Sequence, residues 1–272
     1  MIRGTTLKIG IALVALVFGM TIMSFVWTPY DPLAIDAEQS LESISMEHPL
    51  GTDMLGRDVL SNVIMGARST LLVAALSVAI AMVIGVFAGI AGALFGRRAR
   101  SILVFAIDIV LALPGVLVAI VLAAVYGPST VTATMAIGVA LSAAVAQVTR
   151  RAALTVLSQD YVLAAIAAGS SRLRIVLRHI LPNLRANLLI QASGAGAIAI
   201  LAESTLSYLG LGTVPPTPSW GRMLAESQQF LILDPVVALW PGLFIAIAVL
   251  GFNLLGDGLR EALDPSLDTE LP

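Results

Sequence analysis

The sequence contains no cysteine, only two histidines, His48 and His179, and few charged residues. The absence of cysteine excludes disulfides, thiolate catalysis and cysteine-based metal sites, and two separated histidines argue against a histidine-rich metal cage. Charged residues make up 12% of the 272 residues, whereas about 25% is usual in a soluble domain. The mean hydropathy is +0.97. We therefore expect the lipid bilayer to be the solvent for most of the chain.

The sequence also lacks the short motifs of nucleotide-binding proteins and hydrolases. It has no Walker A glycine loop ending in Lys-Ser or Lys-Thr, so we do not expect the chain to bind ATP by that device. Neither H-E-x-x-H nor G-x-S-x-G occurs, which argues against an intramembrane hydrolase. We expect no catalytic residue, no metal site and no cofactor in this chain.

Long apolar segments are what the sequence does contain. A helix needs about 20 apolar residues to cross a bilayer. Six candidate spans run from Ile9 to Trp27, Leu71 to Phe95, Ile102 to Tyr126, Val131 to Val148, Leu188 to Leu206 and Val236 to Leu255. No A-x-A cleavage site follows the first of them, so we expect it to stay uncleaved. The pattern predicts an all-α polytopic membrane protein with six transmembrane helices.

The basic residues fall on one side of these spans. With a cytoplasmic N-terminus, twelve of the 15 lysines and arginines lie in cytoplasmic segments, and only Arg57, Arg68 and Arg222 lie outside. This bias predicts that both termini are cytoplasmic in a bacterial plasma (inner) membrane. The expected division is 1–28 for the N-terminus and first helix, 29–68 for an external loop, 69–258 for a five-helix core and 259–272 for a cytoplasmic tail. Within the core, 149–187 is a cytoplasmic loop and 207–235 an external one.

The cytoplasmic loop begins with a short helical pattern. Ser158 or Asp160 can cap a helix that runs to Ala168, and Gly169 stands where a helix ends in a left-handed residue. The helix is small, apolar and uncharged after its first residues, although it lies between two arginine clusters. For the loop as a whole, one interpretation is an interfacial helix, with Arg178 and its neighbours on anionic head groups and an apolar stripe resting on the membrane. An apolar knob that fits a socket on a partner protein is the other.

A second helical pattern follows the glycine. Ser170 or Ser171 can cap it, and Pro182 is expected to close it. Its predicted apolar stripe consists of Leu173, Val176, Leu177, Ile180 and Leu181, with Arg174 and Arg178 on the opposite face. We therefore predict two short helices hinged at Gly169.

The spacing Ala164-Ala165-x3-Gly169-x9-His179-x-Leu181-Pro182 resembles the EAA loop of binding-protein-dependent ABC importer permeases. Leu163 stands where that family has glutamate, and His179 where it has isoleucine. Three more segments, 47–68, 201–224 and 252–265, are similar to the C-type permease subunits of dipeptide, oligopeptide and nickel importers, in matching order. The resemblance covers nearly all of the chain after the first span.

This resemblance implies the type I ABC importer permease fold and a non-catalytic subunit that forms half of a path for di- or oligopeptides. It implies that one helix couples the chain to an ATPase. The coupling residues are Asp160, Tyr161, Val162, Leu163, Ala164, Ala165, Ile166, Ala167, Ala168 and Gly169, supported by Arg172, Arg174, Arg178, His179, Leu181 and Pro182. The implied partners are a second homologous permease in a heterodimer, two ATP-binding subunits that carry ATP and Mg, and an extracytoplasmic substrate-binding protein.

Three residues inside the spans are candidates for the translocation path. Asp108 and Glu203 are intramembrane carboxylates, which are costly and normally face the bundle interior. Pro114 is expected to kink the third helix. The alternative for both carboxylates is hydrogen bonding that only packs helices together. We also expect Gly85 and Gly89 to allow close helix approach.

The sequence is compatible with three other functions. A nickel or metal-chelate importer matches the same resemblance. A proton-coupled secondary transporter could use Asp108 or Glu203 as a relay, and a non-transporting scaffold could bind a cytoplasmic partner. In the external segments, His48 is expected to be structural, and Trp220 and Tyr208 to anchor spans at the outer interface.

Overall fold

The computed structural model describes residues 3–263, and the predicted tail after Leu263 lies outside them. This part of the chain is helical, apart from its loops and one isolated bridge between Thr52 and Asp58. Its α-helices are α1 (Arg3–Met23), α2 (Val59–Leu94), α3 (Arg97–Ala112), α4 (Gly115–Tyr126), α5 (Thr130–Leu157), α6 (Asp160–Ala167), α7 (Arg172–Ile175), α8 (Leu181–Tyr208), α9 (Trp220–Ser227) and α10 (Val236–Leu263). The all-α prediction is confirmed.

Helix α2 begins at Val59, well before the predicted start at Leu71, so the loop in front of it ends before residue 68. The helix has 36 residues, or about 54 Å at 1.5 Å per residue, against about 30 Å of hydrocarbon. Asp58 fixes the early start, because its carboxylate caps the helix by accepting a hydrogen bond from the Ser61 amide at 2.8 Å. The helix therefore extends well beyond the hydrocarbon.

Helices α2 and α5 run parallel to each other in close contact. Ser77 of α2 donates a hydrogen bond to the Thr134 carbonyl at 3.1 Å. Further along both helices, a Cβ on Gly85 would lie 2.6 Å from the Ser142 carbonyl oxygen. The predicted close approach at this glycine is confirmed. Since both helices advance in the same direction, the chain between them must return across the membrane.

That return is made by α3 and α4, which meet at a 90° bend. We call Leu113 and Pro114, between the two helices, the elbow. The predicted kink is wrong in degree, because α3 stops completely at Ala112. Leu113 is extended (φ −86°, ψ 128°), as expected for a residue that precedes proline. The two helices together form one broken crossing. With α1, α2, α5, α8 and α10, this gives six crossings in the described residues.

The remaining crossings alternate in direction. Gly258 lies against Leu7, and Gly251 against Leu13, so α1 and α10 are antiparallel. Ser193 of α8 donates to the Phe252 carbonyl of α10 at 2.6 Å. Residues 3 and 263 therefore lie on one face of the membrane protein. We call that face the basic face, and we call residues 28–58 and 209–235, at the opposite end of the bundle, the cap.

Helix α8 is part of a helical run that is continuous from Arg172 to Tyr208. The segment Val176–Ile180 is a π-helical turn, in which the Leu181 amide donates to the Val176 carbonyl. The prediction that Pro182 closes a separate helix is therefore wrong. The wider π turn just before Pro182 accommodates the proline ring and its missing donor.

The π turn also changes which residues face the protein. Ile175 and Ile180, five residues apart, are both buried, whereas the predicted stripe residues Leu173 and Leu177 are 67% and 57% exposed. The prediction was wrong for these two leucines, whereas Val176, Ile180 and Leu181 do pack in the cluster around Val162. The unbroken α-helical period that the stripe assumed does not continue through the π turn.

Candidate functional site

Helix α6 is a short helix on the basic face, joined to α5 by two residues. Neither predicted cap forms. The N-cap residue is Gln159, without a side-chain bond, and the Ser158 hydroxyl donates back to the Thr155 carbonyl at 2.8 Å. Asp160 lies in the first helical turn, where a carboxylate is favoured by the partial positive charge of the helix start.

The end of α6 has the predicted geometry. Gly169 has φ +80°, a conformation that glycine enters without steric cost. The Gly169 amide donates to the Ile166 carbonyl at 2.9 Å, and the Ser170 amide to the Ala165 carbonyl at 3.1 Å. These two bonds are the Schellman motif. They satisfy the last carbonyls of the helix and turn the chain toward α7, where Ser171 accepts from the Arg174 amide as predicted.

One side of α6 attaches it to the protein. Val162 is fully buried, and it packs in a cluster that includes Ile90 of α2, Ala153 of α5 and Ile175 of α7. Ala165 packs partly against the same cluster. This narrow contact fixes the position of α6 under the bundle.

The other side of α6 has no covering residue in residues 3–263. Tyr161, Leu163 and Ile166 are 49%, 50% and 48% exposed, and Ala164, Ala167 and Ala168 are also exposed. Leu163 stands in this apolar surface where the resembled family has glutamate. We call these six residues the knob. An apolar surface of this kind, away from the bilayer core, indicates a protein contact.

The side chains expected to support α6 lie beside it. The ring centroids of Tyr161 and His179 are 5.8 Å apart. Asn183 donates to the Tyr161 hydroxyl at 3.2 Å and to the His179 carbonyl at 2.6 Å. Leu181 is half-buried, whereas Pro182 is exposed.

Sequence reasoning missed Asn183. Its position four residues after His179 is the only local signal, since an amide at that spacing can bond the carbonyl of the preceding turn. The arginines that were expected to support α6 are exposed and form no ion pair with any residue between 3 and 263. They are Arg172, Arg174 and Arg178.

The two intramembrane carboxylates have opposite environments. Asp108 is exposed on α3, and no described side chain pairs with it. Glu203 is fully buried near the cap end of α8, accepting from the Ser207 hydroxyl at 2.7 Å and the Thr213 hydroxyl at 3.4 Å. Glu203 therefore lines no open path in this chain, which favours the packing interpretation. Pro114 lies at the elbow.

The cap contains polar contacts that the sequence did not predict. Arg57 donates to Asp53 at 2.6 Å and to Glu226 at 2.7 Å, and Arg222 also donates to Glu226 at 2.7 Å. Burial alone would lower the pKa of Arg57, but Asp53 and Glu226 raise it above the usual arginine value. The guanidinium therefore stays charged and joins the two segments of the cap.

His48 and Trp220 lie inside this structure. His48 is buried, with Nδ1 2.9 Å from Asp58 and Nε2 3.2 Å from Gln39, which confirms its structural role. Trp220 is fully buried and donates from Nε1 to the Val63 carbonyl at 2.9 Å. The expectation that Trp220 anchors a span at the lipid interface is wrong.

Comparison with known proteins identifies the family of this chain. A family model described as "Binding-protein-dependent transport system inner membrane component" matches residues 81–269. The chain belongs to this family. The matched range includes α6, its glycine ending and the whole of α8.

Individual relatives match almost the entire chain. The di/tripeptide transport system permease protein DppC of Pseudomonas aeruginosa is 40% identical, covering 88% of this chain and 81% of the relative. The dipeptide transport system permease protein DppC of Escherichia coli is 40% identical, covering 95% and 88%. A putative peptide transport system permease protein of Brucella suis is 37% identical, covering 99% and 91%.

Family membership makes the chain an integral inner-membrane permease of an ABC importer, which works together with other components of that system. The expectation of a transport subunit rather than an enzyme agrees with this family. A proton-coupled secondary transporter finds no support, and none of these three relatives is named for nickel or another metal.

Proposed function

We propose that this permease is part of a peptide importer, and that the knob of α6 is where an ATP-hydrolysing subunit docks. The knob is the observation that carries the docking proposal. It is an apolar surface attached through Val162 and ended by Gly169, on the face that carries most of the cations. The printed functions of the three relatives support peptides as the transported class.

The basic face is proposed to lie in the cytoplasm and the cap outside. Twelve of the 15 lysines and arginines belong to the segments of the basic face, and cytoplasmic segments are enriched in these residues. Both ends of the chain are then cytoplasmic. This orientation places the knob where cytoplasmic ATP is available.

The proposed partners are a second homologous permease, two ATP-binding subunits and an extracytoplasmic substrate-binding protein. ATP and Mg would be held by the ATP-binding subunits, since this chain has no glycine loop for a nucleotide. The second permease would supply the other half of the translocation path.

The proposed coupling runs from α6 to α8. When the ATPase subunits close, they would move α6. Gly169, Ser170 and Ser171 form the short link to the long helical run, and the Asn183–Tyr161 hydrogen bond ties the two sides of that link. Because α8 is continuous to the cap, a displacement of α6 would tilt a helix that crosses the whole membrane. ATP can favour one tilt of α8 over another only if the complex binds ATP with different affinities in the two arrangements.

The docking proposal is tested by Ile166→Glu, which places a charge in the knob without touching the buried cluster. We expect ATPase subunits to be lost from the purified complex and peptide uptake to fall by about tenfold or more, because an unpaired buried charge costs several kcal/mol at an interface. The permease itself should still insert and purify.

The matched control is Leu177→Glu. Leu177 is similarly exposed on the basic face but lies in the π turn, outside the knob. Retention of the ATPase subunits and normal uptake in Ile166→Glu would refute docking at the knob. Equal losses in both variants would also contradict a contact specific to α6.

A further inference from the structure

An apolar groove lies between the last turns of α2 and the start of the long helical run that leads into α8. Its wall on α2 extends from Met82 to Phe95, and its other wall includes Arg172, Leu173 and Leu181. Apart from Arg172, every residue that lines the groove is apolar. A single guanidinium therefore accompanies an otherwise hydrocarbon-like surface.

Arg172 lies at the end of the groove nearer the basic face. Helix α2 ends at the basic face, whereas the helical run begins there with Arg172 and leads toward the cap, so the two walls are antiparallel. Leu181 lies about 13 Å further along the run at 1.5 Å per residue, on the side of the membrane interior. The groove is therefore charged at its outer end and apolar toward the bilayer centre.

The length of the groove matches the depth of one lipid leaflet. From Met82 to Leu94 its wall on α2 is about 18 Å long at 1.5 Å per residue. One leaflet contributes about 15 Å, half of a hydrocarbon core of about 30 Å. Arg97 and Arg98, just after α2, are exposed, as expected where a chain reaches the head groups. The groove thus spans the leaflet on the side of the basic face.

The groove opens away from the bundle. Val83 and Phe87 on one wall are 71% and 76% exposed, and Leu173 on the other is 67% exposed. The guanidinium of Arg172 forms no ion pair with residues 3–263. An occupant must therefore supply an apolar body about one leaflet long together with a negative charge at its outer end. An anionic phospholipid combines both features in one molecule, whereas an apolar helix of another subunit would leave Arg172 unpaired.

We infer that this groove binds an anionic phospholipid from the leaflet on the side of the basic face. An acyl chain lies along α2, and the phosphate pairs with Arg172. Basic pockets between transmembrane helices on the cytoplasmic side bind anionic head groups by the same chemistry. Since Arg172 directly follows the link from Gly169 to Ser171, the lipid contacts the helical run next to α6. The site does not depend on which solute is transported.

The site is tested by photolabelling the complete transporter in phosphatidylcholine nanodiscs. Two probes with a photoactivatable acyl chain are compared at the same mole fraction, one a phosphatidylglycerol and the other a phosphatidylcholine. Labelled segments are identified by mass spectrometry and normalised to label on α1, which also has exposed apolar residues. We expect residues 82–95 to be labelled about fivefold more by phosphatidylglycerol, the factor that one basic residue contributes at an anionic membrane surface.

Arg172→Gln should abolish this preference, lowering phosphatidylglycerol label on residues 82–95 by about fivefold while phosphatidylcholine label is unchanged. The matched control is Arg174→Gln. Arg174 is also exposed and lies on the same short helix, but it does not line the groove. Its loss should therefore change the labelling little.

Three results would overturn the inference. Equal labelling of wild-type residues 82–95 by the two probes would show that the groove does not select an anionic lipid. Equal losses in the two arginine variants would show a diffuse attraction to the basic face rather than a site. Absence of label on residues 82–95 in the complete transporter would show that another subunit covers the groove.

Discussion

The cap and the basic face of this protein are held by different interactions. The ion pairs of Arg57 and Arg222 lie in the cap, as does the His48–Asp58 contact. Arg68, the third cation of that end, lies 3.8 Å from the ring centroid of Phe25. On the basic face, the cations from Lys8 to Arg260 form no ion pair with the described residues.

The apolar groups differ in the same way. Trp220, the largest buried side chain of the cap, is enclosed by α2 and α10, whereas α6 buries only Val162 completely. The cap still exposes apolar side chains such as Ile232 and Leu233, at 98% and 73%, so the difference lies in its paired cations and its enclosed tryptophan. The basic face leaves its cations unpaired among the described residues and half of α6 uncovered, as a docking surface would.

Trp220→Ala should have the largest effect on stability among the variants that test this difference between the cap and the basic face. We expect it to lower the free energy of unfolding by about 3–5 kcal/mol, as for other buried tryptophans, because it empties the centre of the cap and removes the hydrogen bond from the indole to the Val63 carbonyl. The measurement is thermal unfolding of the purified protein in detergent. Trp27→Ala, at an exposed tryptophan, should change little, and equal effects of both would show that the cap is not held by its core.

Removing one arginine from the cap or from the basic face should lower the free energy of unfolding by less than Trp220→Ala does. Arg57→Ala leaves Asp53 and Glu226 without their partner and should cost about 2 kcal/mol, in the range of hydrogen bonds to charged groups. Arg178→Ala removes an exposed arginine that pairs with nothing described, and should cost less than about 0.5 kcal/mol. The same unfolding assay measures both, and a reversed order would contradict the account of the two faces.

A local effect, rather than a global one, is expected for Gly169→Val. Left-handed backbone costs a residue with a side chain about 1–2 kcal/mol, and the space around Gly169 is otherwise open. Amide exchange at residues 169 and 170 should therefore accelerate, while the unfolding midpoint moves little. Gly169→Asn, which tolerates this conformation, is the control. Unchanged exchange in the valine variant would exclude strain at this position.

Local features of the site followed directly from the sequence. The ending of α6 at Gly169 and the cap at Ser171 depend on residues within one or two turns, so the pattern predicted both. The contact of Gly85 with α5 was expected in kind, although its partner helix was not known. The π turn escaped prediction, because it depends on how Ile175 and Ile180 both reach the buried cluster around Val162.

By itself, the sequence determined that the chain inserts in a membrane, crosses it about six times and carries its cations at one end. These properties follow from the transfer free energy of each segment, which is additive along the chain. The tertiary structure alone decided the right angle at the elbow, the burial of Glu203 and the enclosure of Trp220. It also joined Arg57 to Glu226, which are 169 residues apart. Contacts of this kind depend on how distant segments pack, and no local pattern records them.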